Sequence, residues 1–270
     1  MSRHRYVTEE PEVPFELRVI YEDSAIIVVD KPHFLATTPR GMWYRQTALI
    51  RLRERYGEPQ ITPAHRLDRM TAGVVLFVRD PAFRGAYQKL FERHRVEKTY
   101  ECLAPARPIS RPRTGIIERL EPPAVFPLRR RSHIVKERRR LQAYEKPGEV
   151  NAETVIELGK AGNEVEHSSQ DSDAYEHVIA RLSCCSSSNS QGLRRYVLHP
   201  RTGKTHQLRV HMNSLGLPIE GDDLYPRIVE PDYADFSRPL ELVARRLSFV
   251  DPVSGEPRVF VSRVALGVGR

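Results

Sequence analysis

The stretch from His65 to Val78 constrains this chain most. Ala72-Gly73-Val74-Val75-Leu76-Phe77-Val78 is an unbroken apolar, β-branched run. A run of this kind reads as a strand covered on both faces. Directly before it stand His65-Arg66-Leu67-Asp68-Arg69. Charge at the mouth of a buried strand is costly unless partners hold it. Taken alone, Asp68 is either a turn cap paired with a neighbouring arginine or a working carboxylate. Residues elsewhere in the chain have to choose between the two.

The flanking sequence outlines a mixed α/β chain. Leu17, Val19 and Tyr21 alternate as a strand, and Ala25 to Val29 is a second buried strand closed by Asp30-Lys31-Pro32. Thr47 to Tyr56 reads as a helix with Thr47 as N-cap and Gly57 as its stop. Phe83, Ala86, Tyr87, Leu90 and Phe91 recur at helical spacing within 82–95. Val96, Lys98 and Tyr100 share one face of a following strand. A further strand is expected from Ala152 to Leu158. Thr205 can cap a helix that starts at His206 and ends before Gly216. Two or three strands with a turn at Pro252-Val253-Ser254-Gly255 close the chain. Strands outnumber helices, and neither a βαβ rhythm nor a Gly-rich phosphate loop is present.

Charge narrows the partner. Lys and Arg number 43 against 35 Asp and Glu, a net charge of +8, which favours an anionic partner such as nucleic acid. The excess concentrates between Arg107 and Arg140, where ten arginines and Lys136 face Glu118, Glu121 and Glu137. Arginine forks suit phosphate, so Arg129, Arg130, Arg131, Arg138, Arg139 and Arg140 are the expected contacts to a nucleic-acid backbone. The stretch 161–190 is acidic, then Ser-rich, and reads as a mobile insertion around a possible strand at Glu176 to Leu182. Only three cysteines occur, which is no disulfide framework. Cys184 and Cys185 are adjacent and cannot easily share a tetrahedral site with His177, so no metal is expected. No apolar run approaches the roughly 20 residues a membrane span needs. Residues 1–14 read as a flexible tail without a signal peptide, and 15–270 as one domain. A cytoplasmic monomer is the expectation.

Three blocks hold the unusual polar residues: His65–Asp68, Lys98–Tyr100 and Thr202–His211. A carboxylate, an aromatic hydroxyl and a guanidinium at the ends of buried elements can form one site. A nearby arginine favours an ionised aspartate nucleophile, and a tyrosine can stack on a flat base.

These blocks resemble the RluA-type pseudouridine synthases. The family motif His-Arg-Leu-Asp-x-x-Thr-Ser-Gly is matched by His65-Arg66-Leu67-Asp68-Arg69-Met70-Thr71-Ala72-Gly73. Lys98-Thr99-Tyr100 matches the Lys-x-Tyr element, and Thr202 to His211 matches Thr-Gly-Arg-Thr-His-Gln-Leu-Arg-Val-His, with Lys204 in place of Arg. Gly216 to Asp222 and Val28 to Pro32 match two further blocks, and Leu242-Val243-Ala244 stands where Leu-His-Ala is usual. Residues 33–47 and 105–195 match poorly. The resemblance implies an α+β fold with a large, mostly antiparallel, bent sheet and a cleft across its middle. It implies isomerisation of uridine in rRNA or tRNA, with no cofactor and no metal. Asp68 would be the nucleophile, Arg209 its partner, and Tyr100 the residue that stacks on the uracil and helps remove the carbon 5 proton. His65, Arg66, Lys98, Thr202, Lys204, His206, Gln207 and Leu242 would bind substrate, with Arg66 filling the gap left by a flipped base or holding a phosphate.

Three other readings are weaker. A non-catalytic RNA-binding protein has no need of Asp68, Tyr100 and Arg209 together. A kinase would need a Gly-rich loop before His65 and Asp-Phe-Gly after it. A metal nuclease on His199, His206 and His211 would need accompanying carboxylates.

Overall fold

The computed structural model describes residues 10–159, 192–230 and 232–267. The insertion expected over 161–190, its strand at 176–182, and His177, Cys184 and Cys185 lie outside them. In chain order the strands are β1 (Arg18–Glu22), β2 (Ile26–Lys31), β3 (Thr62–Pro63), β4 (Ala72–Val78), β5 (Glu97–Pro105), β6 (Ile116–Arg119), β7 (Leu128–Ser132), β8 (Ile134–Val135), β9 (Tyr144–Glu145), β10 (Ala152–Leu158), β11 (Leu193–Pro200), β12 (Leu242–Val250) and β13 (Pro257–Val261). The helices are α1 (Ala48–Tyr56), α2 (Arg84–Glu92) and α3 (Gln207–Ser214).

Eleven strands make one sheet in the order β1-β2-β4-β12-β5-β11-β10-β7-β6, with β3 added to β4 and β13 to β12. Every pairing is antiparallel except β4 with β12. Strands β8 and β9 form a separate ribbon.

Strands β2 and β4 are buried along their whole length, which explains their unbroken apolar runs. Alternate side chains feed two cores. Ile27, Val29, Val75 and Phe77 join Leu49 and Leu52 of α1, while Ile26, Val28, Val74, Leu76 and Val78 join Tyr87 and Leu90 of α2. Thr47 caps α1 as expected: its hydroxyl accepts from the Ile50 N–H at 3.3 Å, and Gly57 ends the helix at φ 66°. The expected helix over 82–95 is shorter. A 3-10 turn, Pro81–Phe83, precedes α2, and Asp80 caps that turn.

The sheet forks at its centre. β4 meets β12 only at Ala72–Val243 and Gly73–Ala244. From Arg246 onward β13 occupies that side of β12. A bulge in β12 lies between Ala244 and Arg246, opposite Tyr100 and Thr99 of β5. Asp68 stands just ahead of this fork on the loop that enters β4.

Two local expectations change. The tail ends earlier than Pro14. The Glu10 carboxylate accepts the backbone N–H groups of Tyr44, Arg45 and Gln46 at 2.7–2.8 Å, and Val13 is buried in the first core. Thr205 does not cap α3. The N-cap residue is His206, at φ 56°, and no side chain caps the helix. Among the described residues no helix is long and apolar enough to cross a membrane.

Gly73 has φ +115°, and a Cβ there would collide with the Ala244 backbone. Gly73→Ala is therefore expected to destabilise the protein by about 2–3 kcal/mol through overpacking and backbone strain, read as a lower denaturation midpoint. An unchanged midpoint would mean that the fork opens freely.

Candidate active site

Asp68 lies on the loop from β3 to β4, and that loop is held at nearly every residue. The Thr37 hydroxyl donates to the Leu67 carbonyl at 2.9 Å and accepts from the Leu67 N–H at 3.1 Å. Lys31 is fully buried, and its ammonium donates to the carbonyls of Leu35 (2.7 Å), Pro32 (2.9 Å) and Arg69 (3.3 Å). His33 Nδ1 donates to the Met70 carbonyl at 2.8 Å. The Thr71 N–H closes a turn onto the Asp68 carbonyl at 3.1 Å. With the backbone fixed on both sides, the Asp68 carboxylate remains over a third exposed.

Helix α3 brings Arg209 beneath it. Arg209 is 3% exposed, and Nη1 lies 3.9 Å from Asp68 Oδ2. Its short contacts go elsewhere: Nε to Asp222 Oδ2 at 2.8 Å, Nη2 to Asp222 Oδ1 at 2.5 Å, and Nη2 to Asp223 Oδ1 at 2.6 Å. Asp222 also accepts the N–H groups of Leu224 and Tyr225 at 2.8 and 2.9 Å. Burial alone would lower the Arg209 pKa. The hydrogen bond and charge of Asp222, with Asp68 and Asp223, raise it above its ordinary value instead. The guanidinium is permanently charged and aimed, with one edge left for Asp68.

His206 completes this side. The Tyr225 hydroxyl donates to the Ala143 carbonyl at 2.7 Å, so at 3.1 Å it accepts from His206 Nδ1. The other ring nitrogen, Nε2, lies 3.9 Å from Asp68 Oδ2. Burial lowers the His206 pKa, against the pull of Asp68, and keeps the ring neutral near pH 7. Across the fork, Tyr100 is held well above its ordinary pKa of 10.0 by burial, with the Asp68 carboxylate adding to it. The phenol stays protonated.

A family model described as RNA pseudouridylate synthase matches residues 25–214. The chain belongs to that family. The dual-specificity RNA pseudouridine synthase RluA of Vibrio cholerae is 30% identical over 245 residues, covering 90% of this chain and 81% of that protein. The tRNA pseudouridine synthase C of Vibrio parahaemolyticus is 26% identical over 266 residues, covering 93% and 92%. Among solved structures, human RNA pseudouridylate synthase domain containing 1 superposes with a TM-score of 0.58 at 19% identity, over 95% of this chain and 86% of that one, so the fold is shared. The mixed, mostly antiparallel sheet is the α+β pseudouridine synthase fold, and the protein is an isomerase.

In this synthase the residues expected to bind substrate divide into two groups. Arg66 and Lys204 are exposed and form no ion pair among the described residues, so both are free to meet RNA. Lys98 is half-buried, and burial lowers its pKa. The others are engaged by the fold. His65 Nε2 accepts the Leu76 N–H at 3.2 Å, and its ring stacks on Phe91 with centroids 4.3 Å apart. Gln207 is 4% exposed and ties α3 to β10: Nε2 donates to the Glu153 carbonyl and Thr154 Oγ1, both at 2.9 Å, while Oε1 accepts from the Thr202 hydroxyl at 2.7 Å and the Lys204 N–H at 3.1 Å. Thr202 also accepts from the Glu153 N–H at 2.9 Å. Leu242 is 3% exposed in the core that Leu67 and Tyr100 join. His65, Thr202, Gln207 and Leu242 are thus each held by contacts of the fold's own.

The arginine segment also divides. Arg130 is fully buried: Nη2 pairs with Glu145 Oε2 at 2.6 Å and donates to the Thr114 carbonyl at 2.7 Å, and Nη1 reaches the carbonyls of Arg131 and Ile116 at 2.8 and 3.3 Å. Arg130 cannot be an RNA-backbone contact, because a charge already paired and sealed from water has no free donor edge. Arg129 and Arg131 are half-buried beside Glu118, and Arg129 also faces Glu153. Arg138, Arg139 and Arg140 are exposed on the ribbon of β8 and β9. That ribbon meets the site through the Ala143 carbonyl under Tyr225 and through Gln142, which donates to the Leu224 carbonyl.

Several site residues had no role assigned from sequence. Lys31, His33 and Thr37 pin the catalytic loop, Asp222 and Asp223 hold Arg209, and Tyr225 fixes His206. Lys31 carried a signal, since a lysine that ends a wholly apolar strand must find buried acceptors. His33 and Thr37 carried none.

Two outcomes follow from these contacts. Arg130→Ala is expected to cost about 3–5 kcal/mol by stranding Glu145, with RNA affinity of the folded fraction unchanged; a binding loss without a stability loss would restore Arg130 as an RNA contact. Burial holds His65 and His211 at about 3 and His33 at about 4, against 6.5 ordinarily. The unfolded chain therefore binds more protons as pH falls below 6.5. Stability present above that pH is lost toward pH 4, by up to about 1.4 kcal/mol per unit for each histidine. Melting temperatures measured at pH 7, 5 and 4 should fall in that order.

Proposed function

We propose that this isomerase converts uridine to pseudouridine in a structured rRNA or tRNA, with Asp68 as the nucleophile. The observation that carries this reading is the exposed Asp68 carboxylate on a fixed backbone, 3.9 Å from a buried guanidinium that two other aspartates hold in place. Relatives named as dual-specificity RluA and as tRNA pseudouridine synthase C support the two substrate classes. A target uridine must leave its stack to reach Asp68, at a cost of a few kcal/mol that is least in a loop or bulge.

In this reaction the bond from ribose carbon 1′ to uracil nitrogen 1 breaks and the base turns. A bond from carbon 1′ to carbon 5 forms, and the carbon 5 proton is lost. The electron count is unchanged, so no cofactor is required. Asp68 either bonds to carbon 1′ as nitrogen 1 leaves and departs when carbon 5 bonds there, or takes the 2′ proton to form a glycal and returns it; nitrogen 1 gains a proton in exchange for the one lost from carbon 5. Arg209 orients the carboxylate and offers it charge. Tyr100 stacks on the uracil. Its raised pKa argues against the phenol as the base that takes the carbon 5 proton, because a base must first be deprotonated. Arg66, Lys98, Lys204 and His206 line the substrate side, and Arg138, Arg139 and Arg140 reach for phosphates flanking the flipped nucleotide. A reduced-thiol protein acting on these RNAs works in the cytoplasm, as a monomer.

A non-catalytic binder is not favoured, since Asp68, Tyr100 and Arg209 are all retained around one cleft. Asp68→Asn should abolish tritium release from RNA labelled at uridine carbon 5, by at least about 10³-fold, with the melting temperature nearly unchanged. Equal release by both proteins would remove Asp68 from the mechanism.

A further inference from the structure

The residue after the nucleophile is held in an unusual way. The Arg69 guanidinium lies over two rings, 5.2 Å from the Trp43 centroid and 5.3 Å from that of Tyr233. The rings themselves meet edge to face at 5.6 Å. Arg69 Nη1 reaches the Phe34 carbonyl at 3.5 Å, and its own carbonyl accepts from Lys31 at 3.3 Å. Trp43 and Tyr233 come from different loops, the first after β2 and the second before β12. A further aromatic contact joins the same loops, with Phe34 and Phe236 packed edge to face at 5.3 Å. The second loop runs on from Asp223, whose carboxylate holds Arg209 and whose carbonyl accepts the Val229 N–H at 2.9 Å. Along it, Ile228, Val229 and Tyr233 are exposed large side chains.

An arginine seated over two aromatic rings at once resists rotation, because leaving either ring forfeits cation–π attraction. Moving Arg69 also moves the peptide it shares with Asp68. One loop thus touches the nucleophile by two routes: through Asp223 and Arg209 to the carboxylate, and through Tyr233 and Arg69 to the backbone. The half-exposed Tyr233 ring is the part of the clasp that RNA in the cleft can reach.

We propose that Arg69 is a positioning residue, and that the Trp43–Arg69–Tyr233 clasp transmits RNA contact on the loop before β12 to the placement of Asp68. This rests on the synthase reading above. It assigns a task to loops outside the shared motifs, namely to align the nucleophile only when a fitting RNA presses on Tyr233.

Rate and spectroscopy test it together, using the full chain and total RNA, labelled at uridine carbon 5, from cells lacking the gene. Arg69→Ala and Tyr233→Ala are expected to lower kcat on the order of 10- to 100-fold with KM changed less than about threefold. Tyr233→Phe, which keeps the ring, should retain wild-type kcat. Arg69→Lys, which keeps the charge without the plane, should recover only part of it. A folded Arg69→Ala protein with wild-type kcat overturns the inference, as does Tyr233→Phe behaving like Tyr233→Ala. Trp43 is the only tryptophan, so its emission reads the clasp without any turnover. Adding the RNA should change that emission in the wild type and in Asp68→Asn, and leave it unchanged in Arg69→Ala. If the wild type releases no tritium, the proposed function fails, and the Trp43 response alone then decides the clasp. No response in the wild type overturns it.

Discussion

The interior mouth of β4 is the constraint on which the rest of this structure depends. A strand covered on both faces must be entered by a peptide whose polar groups find partners away from bulk water. Here the partners are side chains: the Lys31 ammonium on three carbonyls, the Thr37 hydroxyl on both polar groups of Leu67, and the His33 ring on the Met70 carbonyl. Satisfying that backbone and fixing Asp68 are one act. Burial lowers the Lys31 pKa to about 7, against the attraction of Asp68, which is the cost of sealing a lysine inside to serve these carbonyls. The fork between β4 and β12 follows from the same place. Gly73 lets the two backbones meet at Ala244, and the departure of β4 beyond it opens the cleft.

Electrostatics in the cleft are graded rather than paired off. Arg209 gives its short bonds to Asp222 and Asp223 and presents a longer approach to Asp68. A nucleophile locked in a bidentate ion pair would be geometrically and chemically spent. Holding the guanidinium from behind leaves the carboxylate accessible while positive charge remains beside it. The neutral rings of His206 and Tyr100 add polarity without adding net charge. The buried Arg130–Glu145 pair, with Ser132, Thr154 and His211 close by, fixes the base of α3 against β7 and β10. Arg138, Arg139 and Arg140 on the ribbon stay exposed instead.

Much of this was legible in the chain itself. The runs 26–29 and 72–78 marked the two central strands because only full burial tolerates unbroken apolar, β-branched sequence. Thr47 and Gly57 marked α1 because cap and stop are local chemistry. His65–Asp68, Lys98–Tyr100 and Thr202–His211 marked the site because each puts polar groups at the end of a buried element. Within those motifs, however, sequence could not tell a side chain that meets RNA from one that braces the fold. His65 and Gln207 belong to the same blocks as Asp68 and Arg209, yet His65 Nε2 is engaged by Leu76 and the Gln207 amide by Glu153, Thr154, Thr202 and Lys204. The Arg129–Arg131 run misled for a related reason. Consecutive strand residues face opposite sides, so a basic tripeptide can have one member in the core.

By itself the sequence determined the central strands, the caps of α1 and the family. Those rest on periodicity, local hydrogen bonding and long ordered motifs, all carried by neighbouring residues. Tertiary structure alone decided that Asp222 holds Arg209, that Thr37 and His33 pin the loop of Asp68, that Arg130 is interior, and that Trp43 and Tyr233 both lie against Arg69. Each of these joins residues distant along the chain through one contact, and a single residue's type does not name its partner. Whether a charge binds RNA or supports a fold is settled by which faces are already occupied, and occupancy exists only once the chain has closed on itself.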